Sequence, residues 1–231
     1  MIKGWIRTTL LDYPGHIASV IFFGGCCFRC PMCHNPDLVL NPESLPDIST
    51  QSVLDYLYQH NGKITGLVIS GGEPCLSNQL PDFLSQVRKL GVKIKLDTCG
   101  YFPDMLQSLL DNHLLDMVAM DVKAPPEKYN LLTGTSNIDF DRILASIDIL
   151  RRNIIPCEFR TTVVSDWITP EDITLIARWL EGADLYVLQQ FRPQNCLDPA
   201  LNHKTPYSYH TLHVMQSLAS QYIRTVLLRG V

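Results

Sequence analysis

The chain of 231 residues is 46% hydrophobic and 18% charged, with a formal net charge of −4. This balance excludes a disordered chain, which needs low hydrophobicity and high net charge. The 19 lysines and arginines form no basic stripe of the kind that binds nucleic acid. No apolar run approaches the roughly 18 residues of a membrane span, and the N-terminal residues show no signal peptide. We therefore expect a cytoplasmic protein with no nucleic-acid or membrane partner.

Short β-branched segments alternate with helical patterns along the chain. The predicted strands are 17–23, 64–70, 92–97, 117–122, 157–164 and 185–190, with a weaker one at 222–228. The predicted helices are 49–60, 79–90, 103–111, 139–153, 169–181 and 207–220. Such alternation is typical of a parallel sheet, and the chain is shorter than the about 250 residues of a full eight-unit barrel.

These elements predict a single α/β domain over residues 1–231. Its core is a partial (β/α)6 barrel, similar to a TIM barrel, at about 17–192, followed by a C-terminal extension at 193–231. Three prolines within 35–47 predict a surface loop there.

Four of the eight cysteines fall within residues 26–33. Thiols stay reduced in the cytosol, so this cluster indicates a metal or redox site rather than a disulfide framework. Cys26, Cys30 and Cys33 have the spacing C-x3-C-x2-C directly after the first predicted strand. Three thiolates would leave one iron of a 4Fe–4S cluster open to a further ligand. We predict that these three residues hold one such cluster.

Three other interpretations of this segment stay open at this point. Residues 30–34 also spell C-x-x-C-H, the pattern of c-type haem attachment, which would require export. A structural zinc site would need Cys27 or His34 as its fourth ligand. A redox dithiol of C-P-x-C type would have no need of Cys26.

A glycine motif, Gly71-Gly72-Glu73-Pro74, ends the second predicted strand. Glycines let a ligand approach the backbone, and Glu73 offers an acceptor for a cationic amine. We expect a side chain at Gly72 to project into the path of the ligand. Alone, the motif is typical of an ordinary strand-to-loop turn. Its position one unit after the cysteines favours a ligand site and, with it, the cluster interpretation.

The pairing of Cys26, Cys30 and Cys33 with this glycine motif resembles the radical S-adenosylmethionine (radical SAM) superfamily. The resemblance covers about residues 17–192. It implies a partial (β/α)6 barrel with one 4Fe–4S cluster. It also implies that the amino and carboxylate groups of S-adenosylmethionine bind the open iron, with Gly71, Gly72 and Glu73 at the amino group.

Further segments resemble the branch of this superfamily that activates glycyl-radical enzymes. They are the D-x-P-G loop at 12–15, C-H-N-P at 33–36, the strand ends at 95–100 and 120–123, and the arginine-bearing strand at 158–164. Residues 186–193 are similar to activating proteins of anaerobic ribonucleoside-triphosphate reductases.

The resemblance implies further cofactor contacts at the strand ends. Lys123 and Arg160 would meet the carboxylate of S-adenosylmethionine. Asp97 and Asp121 would accept from ribose hydroxyls or, with Thr98, bind a monovalent cation. The remaining cofactor-binding candidates are Met32, His34, Val122 and Arg192.

Several positions depart from the family pattern. Met32 stands where an aromatic residue usually lies near the adenine, and a thioether is adaptable enough to cover a ring. Cys27 and Cys99 stand where asparagine is common, and neither is an expected cluster ligand. Pyruvate formate-lyase activases commonly carry a histidine near the position of Arg192.

The predicted activity is reductive cleavage of S-adenosylmethionine to methionine and a 5′-deoxyadenosyl radical, with the electron from a donor such as a flavodoxin. The radical would remove a hydrogen atom from a glycine of a partner glycyl-radical enzyme, expected to be anaerobic ribonucleotide reductase. We expect docking at the barrel mouth, with Asp12 at the interface. The alternatives are a small-molecule radical SAM enzyme such as a 7-carboxy-7-deazaguanine synthase, and a non-enzymatic metal-binding module.

Overall fold

The computed structural model describes residues 1–152 and 155–231, which form one sheet with its strands in chain order. The strands are β1 (Ile2–Thr9), β2 (Ala18–Phe23), β3 (Gly66–Gly71), β4 (Lys93–Thr98), β5 (Met117–Asp121), β6 (Cys157–Val163), β7 (Leu185–Gln190) and β8 (Thr225–Arg229). β1 runs antiparallel to β2, and every later neighbour is parallel. β1 and β8 are the two edges, so the barrel is open between them.

Helices connect the strands of this sheet. They are α1 (Pro36–Leu40), α2 (Thr50–Gln59), α3 (Leu80–Lys89), α4 (Pro103–Asp111), α5 (Pro126–Thr133), α6 (Phe140–Arg151), α7 (Pro170–Trp179) and α8 (Tyr209–Ala219). Local sequence explains their starts: Thr169 and Asp172 form a capping box on α7, and Ser49 and Ser208 cap α2 and α8. In the described part of the chain, no helix is long and apolar enough to cross a membrane.

All the strands predicted from β-branched runs are present, including the weaker one, which is β8. β1 was not predicted, because its sequence IKGWIRTT mixes charged and apolar residues without a continuous apolar run. Its position comes from pairing with β2 along one edge. The predicted helix at 139–153 ends at Arg151, and residue 153 lies outside the described residues.

Three parts of the chain differ from the sequence prediction. The predicted loop at 35–47 contains α1, whose five residues are too few to show a helical period. α5 was also missed, for the same reason of length. The segment 193–231 is more than an extension, because its α8 and β8 add one further unit to the parallel sheet beside β7.

An apolar cluster fills the barrel interior at the amino ends of the parallel strands. Tyr13, from the β1–β2 loop, packs there with Ala18, Val20, Val68 and Met117. Gly66 leaves room for the Tyr13 ring, since a Cβ at that position would lie 2.8 Å from Cδ1 of the tyrosine. This cluster closes one end of the barrel, which leaves the other end for a ligand.

The β1–β2 loop therefore lies at the closed end of the barrel. Its His16 Nδ1 is 3.1 Å from Thr65 Oγ1, just before β3 begins, whereas the cysteines follow the opposite end of β2. Asp12 accepts a hydrogen bond from Thr9 Oγ1 at 2.6 Å. The prediction that Asp12 meets a partner at the mouth is wrong, because antiparallel pairing of β1 turns this loop away from the cysteines.

Asp116 stabilises the closed end of the barrel and gives a testable pH dependence. Its carboxylate accepts from Ile94 N at 2.9 Å and Lys93 Nζ at 2.8 Å, and it also pairs with Arg88. Burial alone would raise the pKa of Asp116, but the bonds from Lys93, Ile94 and Arg88 lower it below its ordinary value. We expect Asp116→Asn to reduce the free energy of unfolding by about 1–3 kcal/mol at pH 7.

The sign of the pH effect follows from the lowered pKa. A group with a lowered folded-state pKa stabilises the fold above its ordinary pKa of about 3.9 and loses that contribution as the pH falls through the folded-state value. Urea unfolding of both proteins from pH 7 down to about pH 3 should show the gap between them shrinking. Asp148→Asn, at an exposed carboxylate 3.7 Å from Arg151, is the control and should change little. A gap for Asp116→Asn that stays constant with pH would contradict this account.

Candidate functional site

A cleft of about 430 Å³ opens at the carboxyl ends of the parallel strands. The cysteine loop, here residues 24–35, forms one wall, and the ends of β3 to β8 form the others. Of the predicted site residues, Glu73 and Val122 do not line this cleft. The predicted residues that do line it are Cys26, Cys30, Met32, Cys33, His34, Gly71, Gly72, Asp97, Asp121, Lys123, Arg160 and Arg192. Parallel strands bring residues that are distant in sequence to this single edge.

Backbone hydrogen bonds from distant segments fix the cysteine loop. Arg29 N donates to Thr133 O at 2.7 Å, at the end of α5. After β7, Leu197 N donates to Cys33 O and Asp198 N to Pro31 O, each at 2.9 Å. His34 Nε2 lies 2.9 Å from Arg192 O and adds a side-chain link to the same segment. The loop has no helix or strand of its own before α1, so its shape comes from these neighbours.

The thiols of Cys26, Cys30 and Cys33 are partly buried and face the cleft. Phe28 N donates to Cys26 Sγ at 3.4 Å, and Asn35 N donates to Cys33 Sγ at 3.5 Å. Burial raises the pKa of Cys30 to about 12 and also raises the pKa of Cys33, so binding of iron must displace their protons. Hydrogen bonds from backbone amides to sulfur are among the features that set the potential of an iron–sulfur cluster.

The donor set fits a cluster better than a single ion. Across residues 1–152 and 155–231, no three His, Cys, Asp or Glu side chains converge as one metal ion would require. A 4Fe–4S cluster takes each thiolate on a different iron, so its ligands stand further apart. Three soft thiolates at one wall of a cleft are the donor type that such a cluster takes, and the rest of the cleft leaves space for a ligand on the fourth iron.

The glycine motif packs directly against the cysteine loop. Gly72 N donates to Phe23 O, and Glu73 N donates to Gly25 O, both at 2.8 Å. A Cβ at Gly72 would lie 1.9 Å from Gly25 O, and one at Gly71, whose φ is +124°, would lie 2.3 Å from the backbone of Phe23. The expectation that a side chain at Gly72 points into the path of the ligand is therefore wrong. It would point into the cysteine loop, and both glycines are needed for that contact.

Glu73 is a structural residue in this arrangement. Its side chain is buried, and its oxygens accept from Cys75 N at 3.0 Å, Thr98 Oγ1 at 2.8 Å and Cys99 N at 2.7 Å. These bonds join the glycine motif to the end of β4. Both oxygens of the Glu73 carboxylate already accept hydrogen bonds inside the protein, so its contact with a ligand amine stays a prediction that this geometry does not support.

Val122 also lies outside the cleft. Its side chain is fully buried. Its backbone N donates to Arg160 O at 2.8 Å, and its carbonyl oxygen accepts from Thr161 Oγ1 at 2.7 Å. Both of its backbone groups join the end of β5 to β6, and the cofactor contact at Val122 stays a prediction.

The charged strand ends form an internal ion-pair network. Asp121 accepts from Arg160 Nε at 2.7 Å and Lys123 Nζ at 2.8 Å, and Asp97 accepts from Lys95 Nζ at 2.6 Å. Burial alone would raise the pKa of Asp121, but Arg160 and Lys123 outweigh it and hold that pKa well below its ordinary value. The pKa of Lys123 is raised although burial opposes it, chiefly by Asp121. Lys123 and Arg160 thus stay charged and face the cleft already paired.

The same pairing bears on the predicted monovalent cation. Both oxygens of Asp121 accept from protein cations, and Thr98 donates its hydroxyl to Glu73. A cation bound between Asp97, Thr98 and Asp121 would share the Asp121 oxygens with Lys123 and Arg160. Binding of a monovalent cation or of ribose hydroxyls at these acceptors stays a prediction.

The wall formed by the ends of β7 and β8 contains residues that sequence analysis missed. Arg229, at the end of β8, lines the cleft and binds Glu158 of β6 with both terminal nitrogens, at 3.0 and 3.1 Å. Gln190 also lines it, with Nε2 donating to Tyr207 O at 2.7 Å. The sequence signal for Arg229 is its position directly after the weak predicted strand at 222–228. Arg192 is exposed at this wall and, in the described part of the chain, forms no ion pair.

Comparison with known proteins agrees with this geometry. The sequence model of the Radical SAM superfamily matches residues 20–180, about 70% of the chain. The chain belongs to the radical SAM superfamily. A Methanocaldococcus jannaschii protein, whose name describes a glycyl-radical enzyme activating enzyme, is 30% identical over 100% of this chain and 96% of its own. A pyruvate formate-lyase-activating enzyme of Clostridium pasteurianum is 32% identical over 64% of this chain and 65% of its own.

Solved structures show the same fold at low sequence identity. Streptococcus suis SuiB bound to its precursor peptide SuiA matches with a TM-score of 0.70 and 14% identity, over 91% of this chain and 48% of that one. Coproporphyrinogen III oxidase from Escherichia coli matches with a TM-score of 0.55 and 15% identity, over 91% and 53%. The chain spans about half the length of these structures, and the likeness confirms the partial barrel alone.

Together these relatives place the chain among the radical SAM enzymes of the activating branch. Membership implies a 4Fe–4S cluster and S-adenosylmethionine, and Cys26, Cys30 and Cys33 are present for the cluster. The haem, zinc and redox-dithiol interpretations of this segment receive no support from these comparisons.

Proposed function

We propose that the protein generates a glycyl radical on a partner enzyme, with anaerobic ribonucleotide reductase as the expected partner. The observation that carries the proposal is a single cleft in which three cluster cysteines, the glycine motif and charged strand ends meet at an open barrel mouth. The relatives named for glycyl-radical enzyme activation support the reaction type. The C. pasteurianum relative makes pyruvate formate-lyase the second partner to test.

When bound, the cluster and S-adenosylmethionine supply a 5′-deoxyadenosyl radical, with the electron from a low-potential donor such as a flavodoxin. The chain's own residues hold and orient these groups. Cys26, Cys30 and Cys33 are the iron ligands, on a loop fixed by distant backbone partners. Arg192 is the uncommitted cation for the ligand carboxylate, and Lys123 and Arg160 line the same cleft. Met32, in the cysteine loop, lines the same cleft and suits an adenine ring because its thioether adapts its shape.

The gap between β1 and β8 suits a partner that offers a loop. Hydrogen transfer requires the target carbon at a near-attack distance of about 3–3.5 Å, so the partner's glycine must enter this cleft. Ordering that loop costs free energy, and we expect modest affinity that increases when S-adenosylmethionine is bound. A glycine is a suitable target because no Cβ blocks the approach.

Electron paramagnetic resonance tests the proposal. The reconstituted protein is mixed with S-adenosylmethionine, a reductant and the anaerobic ribonucleotide reductase of the same organism, and in parallel with pyruvate formate-lyase. We expect a glycyl-radical doublet in one mixture, and its loss when the partner's glycine is replaced. Cys30→Ala is the control without a radical source. Cleavage of S-adenosylmethionine without any protein radical would instead favour a small-molecule enzyme such as a 7-carboxy-7-deazaguanine synthase.

A further inference from the structure

Two departures from the family pattern meet in the structure. Cys27 lies in the cysteine loop and Cys99 directly follows β4, 72 positions later, yet their Sγ atoms are 3.7 Å apart. Neither is an expected cluster ligand. Two positions where asparagine is common in this branch thus carry thiols that contact one another.

The two thiols differ in their surroundings, and the Cys27 side chain also contacts that of its neighbour Cys26. Cys99 N donates to Glu73 Oε2 at 2.7 Å, which fixes the Cys99 backbone at the end of β4. Cys27 lies in a loop without regular structure, two residues after Gly25, whose φ is +89°. A disulfide has its sulfurs about 2.05 Å apart, so the two atoms must approach by about 1.7 Å. Small adjustments of the loop, with rotation of the Cys27 side chain, would supply that movement.

We propose that Cys27 and Cys99 are a dithiol modification site that a two-electron oxidant such as hydrogen peroxide converts to a disulfide. The two thiols lose two protons and two electrons, and an S–S bond forms. The O–O bond of the peroxide breaks, and two waters leave. The product joins the cysteine loop to the end of β4. This inference is independent of the identity of the partner enzyme.

The remaining cysteines outside the cluster have different surroundings. Cys75 Sγ is 3.8 Å from Thr98 Oγ1, and Cys157 Sγ is 3.8 Å from Leu150 O. Cys196 Sγ is 3.8 Å from the carbonyl oxygens of Arg192 and Gln194. These sulfur contacts are with oxygen, and Cys75 is a matched control because it is buried close to Cys99.

Disulfide mapping tests the site on the cluster-loaded protein. One equivalent of hydrogen peroxide is added under argon, free thiols are alkylated, and the protein is digested with trypsin without reduction. Cys27 then lies in the peptide 8–29, and Cys99 is the sole cysteine of the peptide 96–123. Burial raises the pKa of Cys99 to about 12, so few thiolates are present and samples are taken over hours.

We expect the two peptides to be linked by a bond that dithiothreitol reverses. The link should be absent in Cys27→Ser and Cys99→Ser and should persist in Cys75→Ser. The inference is overturned if the 96–123 peptide stays alkylated while other cysteines oxidise, if it links to the 30–63 peptide, or if the link survives in Cys27→Ser.

Discussion

Cys30→Ala is expected to lose its iron and to cleave no S-adenosylmethionine above background. Cys30 is the middle residue of the three cluster cysteines and lines the cleft with the other two. Removing one thiolate leaves a cluster with two unprotected irons, which a 4Fe–4S centre does not tolerate in water. Anaerobic reconstitution followed by iron and sulfide assays should give about four of each per native chain and far fewer in the variant.

Two control variants separate this effect from general damage to the protein. Cys75→Ala removes a buried thiol outside the cleft and should keep both the iron and the cleavage activity. Cys27→Ala should also keep the cluster, because Cys27 is not in the C-x3-C-x2-C pattern. Iron lost on replacing Cys27 but retained on replacing Cys26 would reassign the ligands.

Gly72→Val is expected to lose iron together with S-adenosylmethionine binding. A Cβ at this position would lie 1.9 Å from the carbonyl oxygen of Gly25, so the cysteine loop has to move away from β3. Displacing packed backbone costs about 1–3 kcal/mol or more. The fraction of molecules with the cysteine loop in its native position should therefore fall roughly 5- to 150-fold. Iron analysis and equilibrium dialysis with S-adenosylmethionine measure the two effects separately.

Gly25→Ala is the matched control on the other side of this contact. Gly25 has a φ of +89°, and a Cβ there would have no atom of the described residues within 4 Å, so alanine introduces backbone strain without a collision. We expect a cost of about 1–2 kcal/mol and substantial retention of iron. Full iron content in Gly72→Val with loss of S-adenosylmethionine binding alone would show that the side chain blocks the ligand instead.

The elements that sequence could predict are those with a strong local pattern. β3 to β7 each contain an apolar run that is buried on both faces, and such runs predict strands from sequence alone. β1 has polar residues on its exposed part and gains its place from β2, so its sequence alone does not define it. The direction of β1 in turn decides where Asp12 lies, and that depends on pairing rather than on local sequence.

For the site, spacing identified the residues but did not determine their partners. The C-x3-C-x2-C pattern and the glycine motif identify two segments that line one cleft and pack against each other. Glu73 faces the end of β4 because it accepts from the backbone amide of Cys99, 26 positions away. No local sequence pattern indicates that hydrogen bond. Arg229 reaches Glu158 across β7, a contact 71 positions apart in sequence.

The backbone partners of the cysteine loop also determine when, during protein synthesis, the loop can take its final shape. Cys26, Cys30 and Cys33 leave the ribosome early, but Thr133, Leu197 and Asp198, which shape their loop, are made much later. Until those residues emerge, the loop that carries the three thiols lacks part of the backbone contacts that shape it. Delivery of iron and sulfide by the cell should therefore follow release of the nearly complete chain. A chain cut off before residue 197 would carry every cluster ligand and still lack the loop conformation that presents them.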